Sequence, residues 1–334
     1  MNHLLAWKAI SNRQRQTWRL QGLAIVLTLL AGQAASGQKS TTAAPAQLTF
    51  RTGVDRVLIS AVVRDHKGTL VTDLVQSDFE VLDNGERRPI TDFRAERAAV
   101  SVALLFDGSG SMQVAAKLES ARLAARQVLA LLQAGRDELA IYSFDTALHE
   151  LDPFALYRED ATLERSLFGM APFGMTSLND AIAATAKDAA TRPTSHRAVI
   201  VLTDGLDNHS QLSPAEAAGI ASSIDVPVYI MAVVSPLDHV GAATAVSSES
   251  PVPVGDLADL ARRTGGEFFV TSATAQTGMA ARQIVDELRH QYVIAFEPAS
   301  RPGWHPLEVR AKDRQLVVRA RGGYMVGQPR TDRF

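Results

Sequence analysis

The sequence predicts an α/β protein with a doubly wound, mostly parallel sheet and a small accessory β module formed from its N- and C-terminal segments. From residue 98 onward, short apolar runs alternate with segments of helical periodicity, the pattern of parallel strands joined by crossover helices. The flanking segments 50–97 and 291–327 contain only short β-type runs. Because neither carries enough apolar surface to fold alone, we expect the two to pack together.

Composition narrows the functional class. The 334 residues are 46% hydrophobic and 21% charged, with a formal net charge of −2, so no strong field favours nucleic acid, and we predict no nucleic-acid partner. Cysteine is absent, which excludes disulfides, thiolate metal ligands and a cysteine nucleophile.

Residues 1–37 have the order of a secretory signal peptide: basic residues, an apolar run from Leu23 to Ala31, then small residues. We expect export to the periplasm or the cell exterior, with cleavage after Ala35 or Gly37. The alternatives are an uncleaved anchor in the inner membrane, which would be the only membrane contact, and a cytoplasmic protein. The apolar run itself is shorter than the roughly 18 residues that a spanning helix needs.

Small polar residues at 38–49 are typical of a linker, and β structure is predicted over 50–97. Asn84-Gly85 favours a type I′ hairpin turn, with Ile90 and Phe93 on the return strand.

The central segment 98–290 alternates strands and helices. Strand-like apolar runs lie at 100–106, 139–144, 198–203, 226–234 and 267–270. Helical spacing follows at 114–132, 178–190, 256–263 and 277–290, and a capping box with proline begins another helix at 213–216. Three further short strands are predicted between 291 and 320.

The candidate functional residues begin with Asp107, Ser109 and Ser111, which follow a buried strand and precede a helix. Ligands of open α/β sheets bind at the carboxyl ends of the strands. Thr176 precedes another helix, and Asp204 follows the strand at 198–203, so we expect all five side chains at one rim. Oxygen-only ligands suit hard cations, Mg²⁺ first, with Mn²⁺ and Ca²⁺ as further candidates.

Asp107-x-Ser109-x-Ser111, the lone Thr176 and Thr203-Asp204-Gly205 resemble the metal-ion-dependent adhesion site of von Willebrand factor type A domains, as in integrin inserted domains. The resemblance covers roughly residues 97–290 and implies a Rossmann-like fold. It also implies an exported, metal-dependent binding protein without enzymatic activity, whose partner protein supplies an Asp or Glu carboxylate to the metal. Ser109, Ser111 and either Asp107 or Asp204 would be direct or water-bridged ligands, and Thr176 a direct ligand in the engaged state.

The flanking segments resemble a set of exported bacterial proteins, common in acidobacteria, described only as von Willebrand factor type A-related. The similar stretches are Phe79 to Gly85 and Val317 to Tyr324.

Other interpretations stay open at this point. A Mg²⁺-dependent phosphatase-like hydrolase with Asp107 as nucleophile is one, although Ser109 stands where such enzymes place a second aspartate. A structural module with a vestigial site and a subunit of a larger assembly are two more. Asp207 is a candidate for indirect support of the metal, and Asp145 is either a rim residue or a turn residue.

Overall fold

The computed structural model describes residues 56–159, 169, 171–233 and 254–327. All of them belong to one unit, Thr52–Phe334. The predicted signal segment and linker lie outside the described residues. Within those ranges, no helix has both the length and the apolar character that crossing a membrane requires.

Four short strands open the described chain: β1 (Val57–Arg64), β2 (Phe79–Asp83), β3 (Glu86–Arg88) and β4 (Ile90–Arg94). The predicted hairpin joins β2 to β3, and Asn84 (φ 53°) and Gly85 (φ 81°) both adopt the left-handed conformation of a type I′ turn. The return strand is shorter than predicted. Pro89 has no amide hydrogen for a further ladder bond, and β4, with Ile90 and Phe93, joins a different sheet.

A six-stranded sheet forms the centre of the protein. Its strands are β5 (Ser101–Asp107), β6 (Glu138–Phe144), β7 (Leu148–Leu156), β8 (Arg197–Thr203), β9 (Val228–Val233) and β10 (Phe268–Thr271). Their order is β10-β9-β8-β5-β6-β7, and every pairing is parallel except that of β7 with β6. The edge strand β7 is largely exposed or half-buried, so it lacks the apolar run that identified the other strands in the sequence.

Five α-helices occur among the described residues: α1 (Lys117–Leu129), α2 (Leu178–Ala189), α3 (Pro214–Ser223), α4 (Val254–Thr264) and α5 (Thr274–Arg289). The helix after β5 begins later than its periodicity predicts, because Gly110–Ala116 forms a 3₁₀ segment instead and leaves Val114 61% exposed. The capping box that starts α3 is present: Ser213 Oγ accepts the N–H of Glu216, and Glu216 Oε2 accepts that of Ser213.

The helices cover both faces of the central sheet. Val102, Leu104 and Phe106 of β5 pack with α1 and α5 on one face. Ala103 and Leu105, which alternate with them, pack with α2, α3 and α4 on the other. The doubly wound α/β fold predicted from the sequence is therefore confirmed.

The chain returns to β structure after α5, with β11 (Tyr292–Phe296), β12 (Gly303–Ala311), β13 (Val317–Arg319) and β14 (Gly323–Val326). The last of these strands was not predicted. These strands pair with those of the N-terminal segment to form two four-stranded sheets, ordered β13-β1-β11-β4 and β14-β12-β2-β3. Ile59, Phe79, Tyr292, Phe296 and Val309 help to form their shared core. The accessory module is thus built from both ends of the described chain.

Candidate metal centre

The candidate site lies where the sheet reverses its winding direction. The chain leaves β5 toward β6 on one side, and later continues from β8, on the other side of β5, toward β9. Such a reversal opens a crevice at the carboxyl ends of the two adjacent strands. Asp107 is the last residue of β5, and Asp204 directly follows Thr203, the last residue of β8. The fold therefore brings both aspartates to this crevice.

Asp107 is fully buried and both of its carboxylate oxygens accept hydrogen bonds. Oδ1 accepts the N–H of Ser109 (2.9 Å), and Oδ2 accepts the hydroxyl of Thr203 (2.6 Å). Burial raises the pKa of Asp107 to about 6, and the charge of Asp204 acts in the same direction, while the hydrogen bonds from Ser109 and Thr203 oppose both. The carboxylate is thus rigidly oriented and poorly neutralised.

Ser109 and Ser111 bring two hydroxyl groups to the same loop, with their Oγ atoms 3.0 Å apart. Ser109 is buried and Ser111 is half-buried. Gly108 allows the loop to run close to β6: its N–H donates to the carbonyl of Phe144 (2.7 Å), and a Cβ there would lie 3.3 Å from that carbonyl oxygen.

A second loop lies against the first. The N–H of Phe173 donates to the carbonyl of Gly108 (2.8 Å), and the N–H of Gly110 donates to the carbonyl of Gly174 (3.2 Å). Gly174 has a φ of 85°, and a Cβ on it would lie 3.0 Å from Thr146 Oγ1, so glycine is required here for both its conformation and its size. This pairing holds the Thr176 loop beside the serine loop.

Thr176 is buried and its backbone is tied to the loop after β8. Its N–H donates to Oδ1 of Asn208 (2.8 Å), and its carbonyl accepts the N–H groups of Asn208 (3.1 Å) and His209 (3.0 Å). Asn208 is not among the residues predicted from the sequence to form the site. Its position four residues after Asp204 was the only signal, and an asparagine in a loop is too common to single out.

Asp204 is 1% exposed and contacts a residue that sequence reasoning missed. The ammonium group of Lys117, the first residue of α1, donates to Asp204 Oδ2 at 3.0 Å. Oδ1 accepts the N–H of Leu206 at 3.4 Å. Periodicity placed Lys117 inside a helix that began earlier, and a lysine on such a helix normally points to solvent.

Two further aspartates near the rim have local structural roles. Asp207 accepts the N–H groups of Asn179 (2.9 Å) and Ser210 (3.1 Å) and so caps α2. Ser177 occupies the predicted N-cap position, but its hydroxyl donates to the carbonyl of Thr146. Asp145 accepts the N–H of Ala147 in the turn after β6.

The donor set of the crevice fits a hard divalent cation. Two buried carboxylates carry two negative charges, the Lys117 ammonium supplies one positive charge, and the remaining side chains are hydroxyls. Oxygen ligands of this kind suit Mg²⁺, Mn²⁺ or Ca²⁺. Among the described residues no cluster of three or more His, Asp or Glu side chains occurs, so a cation bound here would depend on the hydroxyls.

Several solved structures are similar to this chain at low sequence identity. A von Willebrand factor type A protein from Catenulispora acidiphila is 14% identical, with a TM-score of 0.47, 75% of this chain covered and 71% of that one. A mutant of the PilB minor pilin from Streptococcus sanguinis is 12% identical, with a TM-score of 0.43, 60% of this chain covered and 64% of the pilin, which is less than two thirds of its length. Proximal thread matrix protein 1 from the mussel byssus, with a zinc-occupied MIDAS motif, is 15% identical, with a TM-score of 0.44, 60% of this chain covered and 48% of that one.

No curated protein matches the chain in sequence. The family model of the von Willebrand factor type A domain matches residues 101–287, more than half of the 334 residues. The match begins at the first residue of β5 and ends within α5, so it contains the central sheet and the whole of the candidate site. The chain therefore belongs to the von Willebrand factor type A domain family.

Proposed function

We propose that this protein is a binding module that uses a divalent cation to bind an acidic side chain of a partner protein. The residues that would hold the cation are Asp107, Ser109, Ser111, Thr176 and Asp204. The observation that carries the proposal is the pair of buried aspartates at the sheet crevice, for which the described residues provide a single ammonium group, that of Lys117. A buried carboxylate is costly unless it is paired or binds a metal.

Some groups of the crevice orient the Asp107 carboxylate, and others would serve as ligands of the cation. Thr203 and the backbone of Ser109 fix the Asp107 carboxylate, and the adjacent hydroxyls of Ser109 and Ser111 add neutral oxygen donors. A bound Mg²⁺ would supply a Lewis-acidic centre with an exchangeable position for an external oxygen. Because most donors are neutral, a carboxylate from a partner would complete the charge balance.

The surface around the crevice supports a protein partner. Val114, Phe173 and Met175 are 61%, 78% and 45% exposed, and they lie on the same two loops as Ser111 and Thr176. Large exposed apolar side chains grouped on one surface are typical of interaction sites. We infer a partner segment in which apolar residues flank the acidic one.

The hydrolase alternative receives no support from the geometry. Such an enzyme needs a general acid beside its nucleophile, and Ser109 stands where a second aspartate would supply it. The Ser109 hydroxyl instead lies 3.0 Å from that of Ser111. We therefore propose no enzymatic role.

Calorimetric titration of Mg²⁺ and Mn²⁺ into the purified chain tests the metal site. We expect one cation per chain in the wild type and a loss of affinity of about 100-fold or more in Asp107→Asn, because a charged ligand is removed. Asp145→Asn is the matched control, because Asp145 follows β6 in the same way but has its carboxylate in a turn, and it should bind the cation as the wild type does.

Equal affinity in Asp107→Asn and wild type would place the cation elsewhere and contradict the proposal. So would the absence of binding in a folded wild-type protein, both alone and with a glutamate-containing peptide present.

We further propose that residues 1–37 direct export to the periplasm or cell exterior and that 38–49 is a linker. The proposed division continues with 50–97 and 291–327 as the accessory module around a domain at 98–290. N-terminal sequencing of the protein from the envelope fraction tests export. A mature start at residue 36 or 38 supports cleavage, Met1 in the membrane fraction indicates the anchor, and Met1 in the cytoplasm contradicts export.

A further inference from the structure

Lys117 holds a half-buried cationic group next to a candidate metal ligand. Its ammonium lies 3.0 Å from Asp204 Oδ2, and the side chain is only 16% exposed. Of the charged side chains described at the crevice, it is the one that opposes the two aspartates. Lys117 therefore already supplies, from within the chain, part of the charge that a metal would bring.

The backbone before Lys117 is unusual and fixes its position. Ala116 adopts a left-handed conformation (φ 60°, ψ 21°) between the 3₁₀ segment Gly110–Ala116 and the start of α1. Residues with a Cβ seldom adopt this conformation, and here it marks the point where the 3₁₀ segment ends and α1 begins. Without this bend, the preceding turn would continue through Lys117 and α1 would start at a different place. The direction of the Lys117 side chain relative to Asp204 would then change.

A divalent cation and the ammonium group cannot share Asp204 without cost. A cation bound at this carboxylate would lie beside the ammonium group on Oδ2, and at such a separation their positive charges would repel each other. Because Lys117 keeps some exposure and has a flexible four-carbon side chain, its ammonium is free to move to solvent. Asp204 has no equivalent freedom, since it is 1% exposed and directly follows β8.

We propose that Lys117 is a tethered competitor of the cation: it neutralises Asp204 in the metal-free protein and leaves Oδ2 when a divalent cation binds. This inference rests on the proposed metal site. It makes Lys117 a residue that sets metal affinity from outside the ligand set. It also predicts that the metal-free site is stable and that the cation binds more weakly than its oxygen donors alone would allow.

Two substitutions of Lys117 distinguish the effect of its charge on metal affinity from the effect of its side-chain shape. Lys117→Met keeps the length of the side chain and removes its charge, and Lys117→Arg keeps the charge. Titration of Mn²⁺, followed by calorimetry and by the electron paramagnetic resonance signal of free Mn²⁺, gives the dissociation constant of each protein. We expect Lys117→Met to bind Mn²⁺ about tenfold more tightly than wild type, and Lys117→Arg to stay within about threefold of it.

A matched control separates local competition from the general effect of net charge. Lys187 lies near the end of α2 and is exposed, so Lys187→Met removes the same charge away from the crevice. Its Mn²⁺ affinity should remain within about twofold of the wild type, because solvent and salt screen exposed charges. Thermal unfolding adds a second readout: Lys117→Met should be less stable than wild type without metal and should gain more stability at saturating Mn²⁺.

The possible outcomes distinguish this inference from the proposed function. Unchanged or weaker Mn²⁺ binding in folded Lys117→Met, with normal binding in the wild type, overturns the competitor role and leaves the metal site standing. Binding that the wild type shows only with a glutamate-containing peptide present, but Lys117→Met shows without it, supports the competitor role strongly. If neither protein binds Mn²⁺ although both are folded, the proposed function fails and the inference fails with it. Should Lys117→Met not fold, Lys117→Gln provides the same comparison with a polar side chain.

Discussion

Buried aspartates lie at both ends of the central sheet, and the protein neutralises them differently. At the amino end, Asp137 directly precedes β6 and is fully buried against Arg289, whose guanidinium lies 2.6 Å from Oδ2 and is itself 2% exposed. Burial acts to raise the pKa of Asp137, but the hydrogen bonds from Arg289 and from the backbone of Gln133 and Val100 outweigh it and lower the pKa. At the carboxyl end, the effect of burial exceeds that of the hydrogen bonds and raises the pKa of Asp107 to about 6.

The difference shows which buried carboxylate is available for a ligand. Arg289 is a permanent partner, because a buried guanidinium keeps its charge and its fixed geometry. Asp107 has a hydroxyl and an amide as partners, which orient it but bring no positive charge. Asp204 is intermediate between Asp137 and Asp107. It has a charged partner, but the Lys117 side chain is long, flexible and partly exposed. A cation from solution, as proposed, would therefore neutralise the aspartates at the carboxyl end, whereas Asp137 at the amino end is already neutralised by Arg289.

The largest effect on stability should come from breaking the amino-end pair. Arg289→Met leaves Asp137 charged and buried, and removing one partner of a buried ion pair costs about 3–5 kcal/mol. Urea unfolding, followed by circular dichroism, should show a loss of that size in the free energy of unfolding, while Asp107→Asn should change it by less than about 1 kcal/mol.

Arg262→Met is the control for that measurement. Its pair with Asp259 is exposed on α4 and should contribute less than about 0.5 kcal/mol. Equal free energies of unfolding for Arg289→Met and Arg262→Met would contradict the conclusion that Arg289 neutralises Asp137 as a buried, permanent partner.

Acidification should reduce the contribution of the amino-end pair. The folded pKa of Asp137 lies below the ordinary value of 3.8, so the stability that it contributes is present above that value and is lost as the pH falls through the folded pKa. In Arg289→Met the lowering influence of the guanidinium is gone. The gap in unfolding free energy between wild type and Arg289→Met should thus narrow as the pH falls from about 5 to below 3.8. A gap that widens on acidification would contradict this assignment.

Much of this arrangement could be predicted from the sequence because it follows from local patterns. Apolar runs identified the buried strands, the capping box identified α3, and the Asn84-Gly85 turn identified the first hairpin. The positions of Asp107 and Asp204 at strand ends were enough to predict a shared rim, and the structure brings both residues to it.

The missed features depend on contacts between distant segments. The Lys117 contact depends on a left-handed Ala116, and no composition or spacing rule predicts that conformation. The strand β7 is half exposed and lacks an apolar run, and β4 changes sheets at Pro89. The pairing of Asp137 with Arg289 spans 152 residues, a separation at which one sequence alone gives no signal.

The smallest effect on stability should accompany a change at the exposed rim of the carboxyl end. Phe173 is 78% exposed, and surface substitutions of this kind change the free energy of unfolding by about 0.5 kcal/mol or less. Phe173→Ser should also leave Mg²⁺ affinity unchanged, because Phe173 contributes only its backbone to the serine loop. The probe is a short peptide with one glutamate flanked by leucines, measured by fluorescence anisotropy at saturating Mg²⁺ beside a glycine-flanked peptide. We expect Phe173→Ser to weaken the leucine-flanked peptide about fivefold and to leave the glycine-flanked one unchanged, since only the former buries apolar surface on the ring.

Met279→Ser is the control for the rim, because Met279 is equally apolar and 73% exposed but lies on α5, away from the two loops. Equal weakening by both substitutions would indicate nonspecific apolar adsorption, and no weakening by Phe173→Ser would remove the apolar rim from the binding surface. A selective loss in Phe173→Ser would mean that the end of the sheet whose buried aspartates lack full neutralisation also exposes apolar side chains that a partner covers. Both properties raise the free energy of the isolated protein, and a divalent cation together with a partner segment that carries an acid between apolar residues would relieve them.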